Sequence, residues 1–255
     1  MVLEIVTVPC LSDNYAYLAH DPATGTTAVV DVPEAAPILA ALDDRGWQAS
    51  LVILTHHHHD HVEGLPALLA KHSAKVAGNA ADADRLPPLD IALRDGGTFE
   101  IGGETGHVMD VSGHTIGHIA LHFPQSAVAF TADSLMALGC GRVFEGTMEQ
   151  MWNSLSKLAA LPPETTLCSG HEYTAANARF ALSIDPENSA LISRSKKINT
   201  ARSRNQPTVP STLSDELATN PFLRASDPGL KAALDMDGAS DAEVFAEIRR
   251  RKDRF

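Results

Sequence analysis

The order of apolar and polar positions in the first part of the chain predicts strands, a helix and a further strand. Residues 3–8, 15–20 and 27–32 are β-branched runs separated by Asn, Asp, Pro and Gly, which is typical of strands joined by turns. Residues 34–45 carry apolar side chains at the 3.6-residue period of a helix. Residues 49–54, ASLVIL, form a short apolar run that predicts a buried strand. The chain is therefore expected to begin as a strand meander followed by an amphipathic helix and a buried strand.

The pattern then repeats and later changes to helices. Further strands are predicted near residues 97–101, 107–111, 118–123 and 127–131. A helix follows, marked by Met148, Met151, Trp152, Leu155 and Leu158. After about residue 174, helical segments dominate, near residues 174–183, 187–204 and 241–252. This order favours two sheets sandwiched between helices, with one domain over residues 1–174 and a smaller helical domain over residues 175–255.

Length and composition agree with such a globular α/β protein. The 255 residues are 44% hydrophobic and 20% charged, close to ordinary globular usage. No stretch approaches the roughly 18 apolar residues of a membrane span, so a soluble protein is expected. The opening residues MVLEIVTVPC resemble a first strand and not a secretory signal. A cytoplasmic location is therefore expected.

Charge and cysteine usage exclude several classes of protein. The formal charge of −12 disfavours a nucleic-acid partner, although basic residues are concentrated at residues 249–254. Cys10, Cys140 and Cys168 are an odd number without CxxC spacing, which argues against a disulfide framework and against a thiolate zinc site. We expect all three to be buried or inert thiols.

The strongest chemical signal is THHHHDH at residues 55–61, directly after the predicted buried strand. Imidazole and carboxylate are the usual ligands of zinc, iron and manganese. In extended backbone, His56, His58 and Asp60 would face one way, while a turn after Asp60 could return His61 to a second locus. The alternative is a set of surface histidines that bind nothing. A random chain rarely assembles such a group after a strand, so the metal site is favoured.

Three further positions could complete a metal site, because a few neighbouring residues cannot surround an ion. His114 lies in GHTIGH at residues 113–118, Asp133 ends FTAD at 130–133, and His171 lies in SGHEY at 169–173. Each stands where a predicted strand meets a loop. Taken alone, each would more often be a turn or core-edge residue, but together with the histidine cluster they support one another.

In these motifs the chain resembles the metallo-β-lactamase superfamily and, within it, glyoxalase II, the hydroxyacylglutathione hydrolases. The resemblance runs nearly end to end, through THHHHDH, GHTIGH, FTAD, GCGRVFEGT (139–147), SGHEYT (169–174), PTVPSTLSDE (207–216), NPFLR (220–224) and RRRKDRF (249–255). It implies a four-layer αββα sandwich with a smaller C-terminal helical domain.

The resemblance also implies a site with two divalent metal ions. One would be bound by His56, His58 and His114 and the other by Asp60, His61 and His171, with Asp133 bridging them. Zinc is expected, although the ligands suit iron and manganese equally. A metal-bridging hydroxide would attack the thioester of S-(2-hydroxyacyl)glutathione, with S-D-lactoylglutathione as the expected substrate and glutathione and a 2-hydroxy acid as products. Asp60 and Asp133 are the carboxylates expected to act at the reacting centre.

Substrate contacts are carried over from the same resemblance. Arg249 and Lys252 would bind the glycine carboxylate of glutathione, and Arg142 and Tyr173 would contact the rest of it. Phe144 is a departure, since many relatives have a tyrosine hydroxyl there, and weaker glutathione binding is expected. A monomer is expected.

Three competing functions stay open at this point. A persulfide dioxygenase of the same fold would use one iron on His56, His114 and Asp133. Another hydrolase of the superfamily would act on lactones, β-lactams or RNA, although the charge of −12 disfavours RNA. A metal-storage module would need no cations near its site, and the basic C-terminus argues against it.

Overall fold

The computed structural model describes residues 2–255, which form two compact units. The first unit comprises the described residues up to Asp110 together with Ile116–Ala132, and the second comprises Val111–Thr115 and Asp133–Phe255. This division differs from the boundary after residue 174 suggested by the sequence, and that domain assignment stays a prediction. No helix within residues 2–255 combines the length and the apolar character needed to cross a membrane.

The first unit contains a mixed sheet whose order follows the chain. Its strands are β1 (Glu4–Cys10), β2 (Asn14–His20), β3 (Thr27–Val30), β4 (Ala49–Ile53), β5 (Lys75–Asn79) and β6 (Ile91–Leu93). The first three strands pair antiparallel, and from β3 onward the pairing is parallel. Helix α1 (Ala35–Asp43) and the short helices α2 (His59–Val62) and α3 (Leu65–Leu69) are parts of the connections between the parallel strands.

A second, antiparallel sheet of the same unit is formed by consecutive strands. They are β7 (Thr98–Ile101), β8 (Glu104–Asp110), β9 (Ile119–Phe123) and β10 (Val128–Ala132). Tyr17 on β2 meets Phe130 on β10 edge to face, with ring centroids 5.8 Å apart, so side chains of the two sheets pack on each other. On the other side of the mixed sheet, Ile38 and Leu68 from the helices join a buried core with Val52. The unit is thus layered as helices, sheet and sheet.

The second unit is mainly helical. It contains the hairpin β11 (Leu135–Met136) and β12 (Gly139–Cys140), helix α4 (Met148–Ala159), and the antiparallel pair of β13 (Thr166–Ser169) with β14 (Ser211–Thr212). The remaining helices are α5 (Thr174–Ile184), α6 (Ser189–Arg202), α7 (Leu213–Thr219), α8 (Pro228–Ala233) and α9 (Asp241–Arg254). A core cluster consists of Leu138 with side chains of α5 and α6, namely Ala178, Ala181, Leu191 and Ile198.

The predicted strands and long helices are confirmed to within a few residues. The sequence missed several short elements, because short runs carry little periodic signal. These are strands β5, β6, β11, β12 and β14 and helices α2, α3, α7 and α8. Cys10, Cys140 and Cys168 are buried thiols that form no disulfide, as expected. Burial raises the pKa of Cys10 and of Cys140 to about 11, so both thiols stay protonated at neutral pH.

Candidate metal centre

Strand β4 leads directly into the histidine cluster of the first unit. Beyond it, Thr55 is fully buried, and its N–H and Oγ1 both donate to the carboxylate of Asp31 at 2.8 Å. Asp31 follows β3 with a φ of 57°, a left-handed conformation that is uncommon outside glycine. Its Oδ2 also lies 2.8 Å from Nδ1 of His61. One buried carboxylate therefore fixes the start of the cluster and the orientation of His61.

The imidazoles of His56, His58 and His61 lie side by side. The ring centroid of His56 is 4.7 Å from that of His58 and 4.2 Å from that of His61. Nδ1 of His56 lies 3.0 Å from Thr55 Oγ1. Because Nδ1 of His56 and Nδ1 of His61 contact protein oxygens, Nε2 is the ring nitrogen of each that can bind a metal ion.

Asp60 lies on helix α2 and not in extended backbone. The helix begins at His59, so the chain turns before Asp60 and not after it as expected, and Asp60 Oδ2 lies 3.9 Å from His61 Nε2. Nδ2 of Asn14 donates to the backbone oxygen and to Oδ2 of Asp60, at 3.0 Å each. Asn14 therefore fixes the position of this partly exposed carboxylate.

The two intervening histidines have acidic partners, although the ring of His57 also meets that of His58 with a centroid distance of 5.1 Å. Nδ1 of His57 is 3.2 Å from Oδ2 of Asp82, and His59 is exposed with Nδ1 3.1 Å from Glu63. His118 at the end of GHTIGH is fully buried and stacks on His56 with a centroid distance of 4.6 Å. It therefore packs on the ring of a candidate ligand.

In the second unit, His114, Asp133 and His171 converge. Nε2 of His114 lies 3.4 Å and Nε2 of His171 lies 3.3 Å from the same oxygen, Oδ2 of Asp133. Nδ1 of His114 is 2.8 Å from the backbone oxygen of Arg142. All three residues are buried. Two imidazole nitrogens and one carboxylate oxygen thus lie close enough together to bind a common metal ion.

Gly141 permits this convergence. A Cβ at position 141 would lie 2.0 Å from the backbone oxygen of Asp133 and 2.8 Å from Nδ1 of His114. Any side chain there would displace both residues. The glycine of GCGR is thus required by close approach of the backbone to the site.

The donor atoms of both groups suit a divalent ion. Imidazole and carboxylate ligands are those preferred by zinc, iron and manganese. In proteins, a histidine that binds a metal usually contacts a carboxylate or carbonyl through its other ring nitrogen, as His61 does with Asp31 and His114 does with Arg142. Both groups therefore fit metal binding by their chemistry and by the contacts that orient them.

The predicted substrate residues Arg142, Phe144 and Tyr173 lie next to the second group. The Arg142 guanidinium is 5.8 Å from the centroid of Phe144, whose side chain is 60% exposed. Tyr173 stacks on the ligand candidate His171, with centroids 4.6 Å apart and an interplanar angle of 6°. These exposed side chains border the group of imidazoles.

The two cations expected on helix α9 have different surroundings. Arg249 is only 4% exposed and donates to the backbone oxygen of Cys140 at 2.9 Å and to Oδ1 of Asp253 at 2.8 Å. It therefore has a structural part that the sequence did not predict, and its contact with substrate stays a prediction. Oδ1 of Asp253 also lies 3.4 Å from Nε of Arg142, which links the two arginines.

Lys252 is only partly buried and is flanked by aromatic rings. Its Nζ lies 5.2 Å from the centroid of Phe180 and 5.5 Å from that of Phe255. Burial, with the nearby positive charges of Arg249 and Arg179, lowers the pKa of Lys252 to about 8. Its charge therefore changes close to neutral pH.

Asp31, Asn14 and Thr55 were missed by sequence reasoning although they orient candidate ligands. Asp31 carried a usable signal, because VVDVPE places a carboxylate directly after an apolar strand, as FTAD does for Asp133. Asn14 opens β2 and looked like an ordinary turn residue. Nothing in its local pattern indicates a contact with a residue 46 positions away.

Comparisons with known proteins agree with these features. The family described as "Metallo-beta-lactamase superfamily" matches residues 21–171, and the family "Hydroxyacylglutathione hydrolase C-terminus" matches residues 172–255. The hydroxyacylglutathione hydrolases of Cereibacter sphaeroides and Roseobacter denitrificans are 64% and 65% identical to this chain, over 100% of both chains in each case.

Solved structures show the same fold. ETHE1 from Myxococcus xanthus matches with a TM-score of 0.69 at 23% identity, over 98% of this chain and 90% of that one. The BLEG-1 B3 metallo-β-lactamase matches with a TM-score of 0.66 at 20% identity, over 86% of this chain and 99% of that one. TTHA1623, solved in a di-iron-bound form, matches with a TM-score of 0.60 at 25% identity, over 86% of this chain and all of that one.

Proposed function

The chain belongs to the hydroxyacylglutathione hydrolase family within the metallo-β-lactamase superfamily, and on this premise we propose that it hydrolyses the thioester of S-D-lactoylglutathione to glutathione and D-lactate. The observation that carries the proposal is the full-length identity of 64% to 65% with hydroxyacylglutathione hydrolases. The match of residues 172–255 to the family described as "Hydroxyacylglutathione hydrolase C-terminus" also supports it.

The proposal assigns His56, His58 and His114 to one divalent ion and Asp60, His61 and His171 to the other, with Asp133 as the shared ligand. It is supported by the grouping of the candidates within each unit and by the contacts that orient their ring nitrogens. When bound, such ions supply Lewis acidity and lower the pKa of water from about 16 toward about 7. Zinc is proposed, with iron and manganese compatible with the same ligands. The di-iron-bound form of TTHA1623 supports two ions in this fold.

The chain's own residues would position the reactants. Asp60, fixed by two hydrogen bonds from Asn14, would orient the attacking oxygen through Oδ2. Tyr173, stacked on His171, would contact the bound thioester. Since a thiol has a pKa near 8.5, the sulfur can leave as a thiolate, and a strong general acid is dispensable. A thioester substrate therefore suits a site that consists mainly of candidate metal ligands.

Binding of glutathione requires positive charge on an acidic protein. Arg142, Lys252 and Arg249 are proposed to supply it, with Tyr173 and Phe144 as the flanking rings. Lys252 and Arg142 are the more available cations, because the guanidinium of Arg249 already binds Cys140 and Asp253. Arg249 would act through its remaining donors while holding the backbone of the GCGR turn.

The dioxygenase alternative has less support. The similarity to ETHE1 is at 23% identity and shows the fold alone, whereas the hydrolase relatives match the whole chain at 64% to 65%. The alternative would use His56, His114 and Asp133 with one iron and would consume oxygen. The monomeric state, the cytoplasmic location and the lack of a nucleic-acid partner stay predictions that native mass measurement, cell fractionation and gel shift would test.

The proposal is tested by incubating the purified protein with S-D-lactoylglutathione and following the thioester absorbance. Free thiol and D-lactate should appear in equal amounts, and a glutathione persulfide substrate should cause no oxygen uptake. Oxygen uptake without thioester cleavage would replace the hydrolase with the dioxygenase.

A further inference from the structure

The motif PTVPSTLSDE at residues 207–216, with Asn220 just after it, contacts the loops that carry two proposed metal ligands. We propose that this bracing segment, residues 207–220, is a positioning element that sets the placement of His171 at one end and Asp133 at the other. The inference rests on the proposed function, because it concerns ligands named there. It gives a task to a family motif that neither the metal ligands nor the substrate contacts explain.

The first end of the bracing segment holds the His171 loop through Glu172. The N–H of Thr208 donates to Oε2 of Glu172 at 2.8 Å, and Oγ1 of Thr208 donates to Oε1 at 2.5 Å. Nη1 of Arg202 adds an ion pair at 3.5 Å. Glu172 lies between His171 and Tyr173, and its side-chain carboxylate is only 6% exposed. Charge-assisted hydrogen bonds at both oxygens hold this carboxylate in one orientation, which restrains the backbone of Glu172 between His171 and Tyr173.

The second end holds the turn of the β11–β12 hairpin. Oε2 of Glu216 accepts from the N–H of Leu138 at 2.7 Å. Nδ2 of Asn220 donates to the backbone oxygens of Gly139 at 3.0 Å and Met136 at 3.2 Å. The polar backbone groups of this buried turn are thus bound by side chains from helix α7 and its C-terminal end.

The turn needs this support because its conformation is uncommon. Leu138 has a φ of 56°, in the left-handed region that side chains other than glycine seldom adopt. Its side chain packs among Ala178, Ala181, Leu191 and Ile198. Asp133 precedes this hairpin and Arg142 follows it. A shift of the turn would therefore move both a proposed ligand and a proposed substrate contact.

The burial of Glu216 is not explained by stability alone, because burying a charged side chain costs free energy. Its carboxylate is fully buried and is paired with Arg194, and taking both charges out of water is unfavourable unless they gain specific contacts. A well-packed apolar pair would hold the helices together at lower cost. The gain from the charged pair is a fixed acceptor for Leu138 N–H, which indicates positioning.

The two ends should affect metal binding differently. His171 is assigned to one ion, so loss of the Thr208 hydroxyl in Thr208→Val should lower the binding affinity for one Co²⁺ ion by about 10-fold or more. Asp133 is assigned to both ions, so Asn220→Ala should lower the binding affinity for both Co²⁺ ions by a similar factor. The measurement is titration of the chelated full-length protein with Co²⁺ against a chromophoric chelator, with the visible spectrum of bound Co²⁺ as a second readout.

Matched controls separate positioning from stability. Thr208→Ser keeps the hydroxyl that bonds Glu172, so its Co²⁺ affinity should stay within about 2-fold of the wild type. Thr200→Val removes a hydroxyl that bonds only within α6, to Lys196 O, and should leave both affinities unchanged. Asp227→Ala removes the side-chain cap of helix α8, which accepts from the N–H of Leu230, and should lower the melting temperature without changing Co²⁺ binding.

The outcomes distinguish the inference from the function beneath it. The inference is supported if the wild type binds two Co²⁺ ions, Thr208→Val binds one of them more weakly, and Asn220→Ala binds both more weakly. Two ions in the wild type with unchanged affinities and spectra in both variants overturn the inference alone, whatever their melting temperatures. No specific Co²⁺ binding by the wild type overturns the proposed function, and the inference with it.

Discussion

At the residue scale, the candidate site depends on imidazoles whose orientation is set by other protein groups. His61 is oriented by Asp31, His114 by the backbone oxygen of Arg142, and His56 by Thr55. Such contacts fix which ring nitrogen faces an incoming ion and reduce the reorganisation that binding requires. The site is thus arranged by hydrogen bonds in the protein itself.

Asp31 gives the sharpest test of this orientation. Asp31→Asn replaces the carboxylate shared by Thr55 and His61 with an amide, so His61 loses its charged partner. We expect metal affinity to fall by about 10- to 100-fold, measured by chelator competition. Asp90→Asn alters another carboxylate that accepts a backbone N–H, from Val76, and serves as the control. Equal affinities in wild type and Asp31→Asn would show that Asp31 does not orient a ligand.

Phe144 tests the departure from the family at the substrate side. Its ring is 60% exposed beside Arg142, so an added hydroxyl would have room to reach the substrate. A hydrogen bond contributes about 0.5–1.5 kcal/mol, and Phe144→Tyr should lower KM by about 2- to 10-fold with little change in kcat. An unchanged or higher KM would show that this ring does not face glutathione.

The lowered pKa of Lys252 predicts that substrate binding depends on pH. Its lowered pKa of about 8 means that the ammonium is present below this pH and is lost above it. If it binds the glycine carboxylate, KM for S-D-lactoylglutathione should rise as the pH increases from 8 toward 9.5, by about 10-fold per unit at most. Steady-state kinetics at each pH give the profile.

Two variants of Lys252 control this experiment. Lys252→Arg keeps its charge throughout the range, so its KM should stay flat. Lys252→Ala should raise KM far more than it lowers kcat, because the contact is remote from the reacting carbon. A pH-independent wild-type KM, or equal losses in KM and kcat for Lys252→Ala, would contradict the assigned role.

At the scale of elements, the candidate ligands of each unit follow the ends of strands. His56, Asp133 and His171 come shortly after β4, β10 and β13, and this arrangement could be predicted because apolar runs followed by polar residues are visible in the sequence. The helical turn that starts at His59 could not, since four consecutive histidines have no periodic pattern. The burial of Arg249 could not either, because it depends on which face of α9 packs inward.

Helix α9, which carries Arg249 and Lys252, begins with a capping box. Oγ of Ser240 accepts from the N–H of Glu243, and the Glu243 carboxylate accepts from the N–H of Ser240 at 2.9 Å. Ser240→Ala should lower the free energy of unfolding by about 1 kcal/mol in urea denaturation. Ser156→Ala on the exposed face of α4 should change it by less than about 0.5 kcal/mol.

The difference in free energy of unfolding between wild type and Ser240→Ala should also depend on pH. Hydrogen bonds from Ser240 lower the pKa of Glu243 below its ordinary 4.5. The contribution is therefore complete above pH 4.5 and is lost as the pH falls further, so the gap between wild type and Ser240→Ala should narrow in acid. A gap that widens below pH 4.5 would show that the carboxylate does not contribute to the cap.

At the scale of the whole molecule, an acidic protein is expected to bind an acidic substrate. The formal charge is −12, yet residues 249–254 contain Arg249, Arg250, Arg251, Lys252 and Arg254. The sequence alone could place these cations on a helix, but only the family resemblance connected them with glutathione. The preferred acyl group depends on the geometry of the site, and the metals loaded depend also on which ions are supplied. No sequence motif specifies the metals, because imidazole and carboxylate ligands bind several ions.

The most direct test of the central claim is the hydrolysis of S-D-lactoylglutathione as a function of metal content. The protein is stripped with a chelator and reloaded with zero, one or two equivalents of Zn²⁺, Fe²⁺ or Mn²⁺, and the thioester absorbance is followed at each step. We predict no turnover for the stripped protein and full turnover at two equivalents. Undiminished hydrolysis after complete removal of metal, or no hydrolysis in any metal form, would contradict the account.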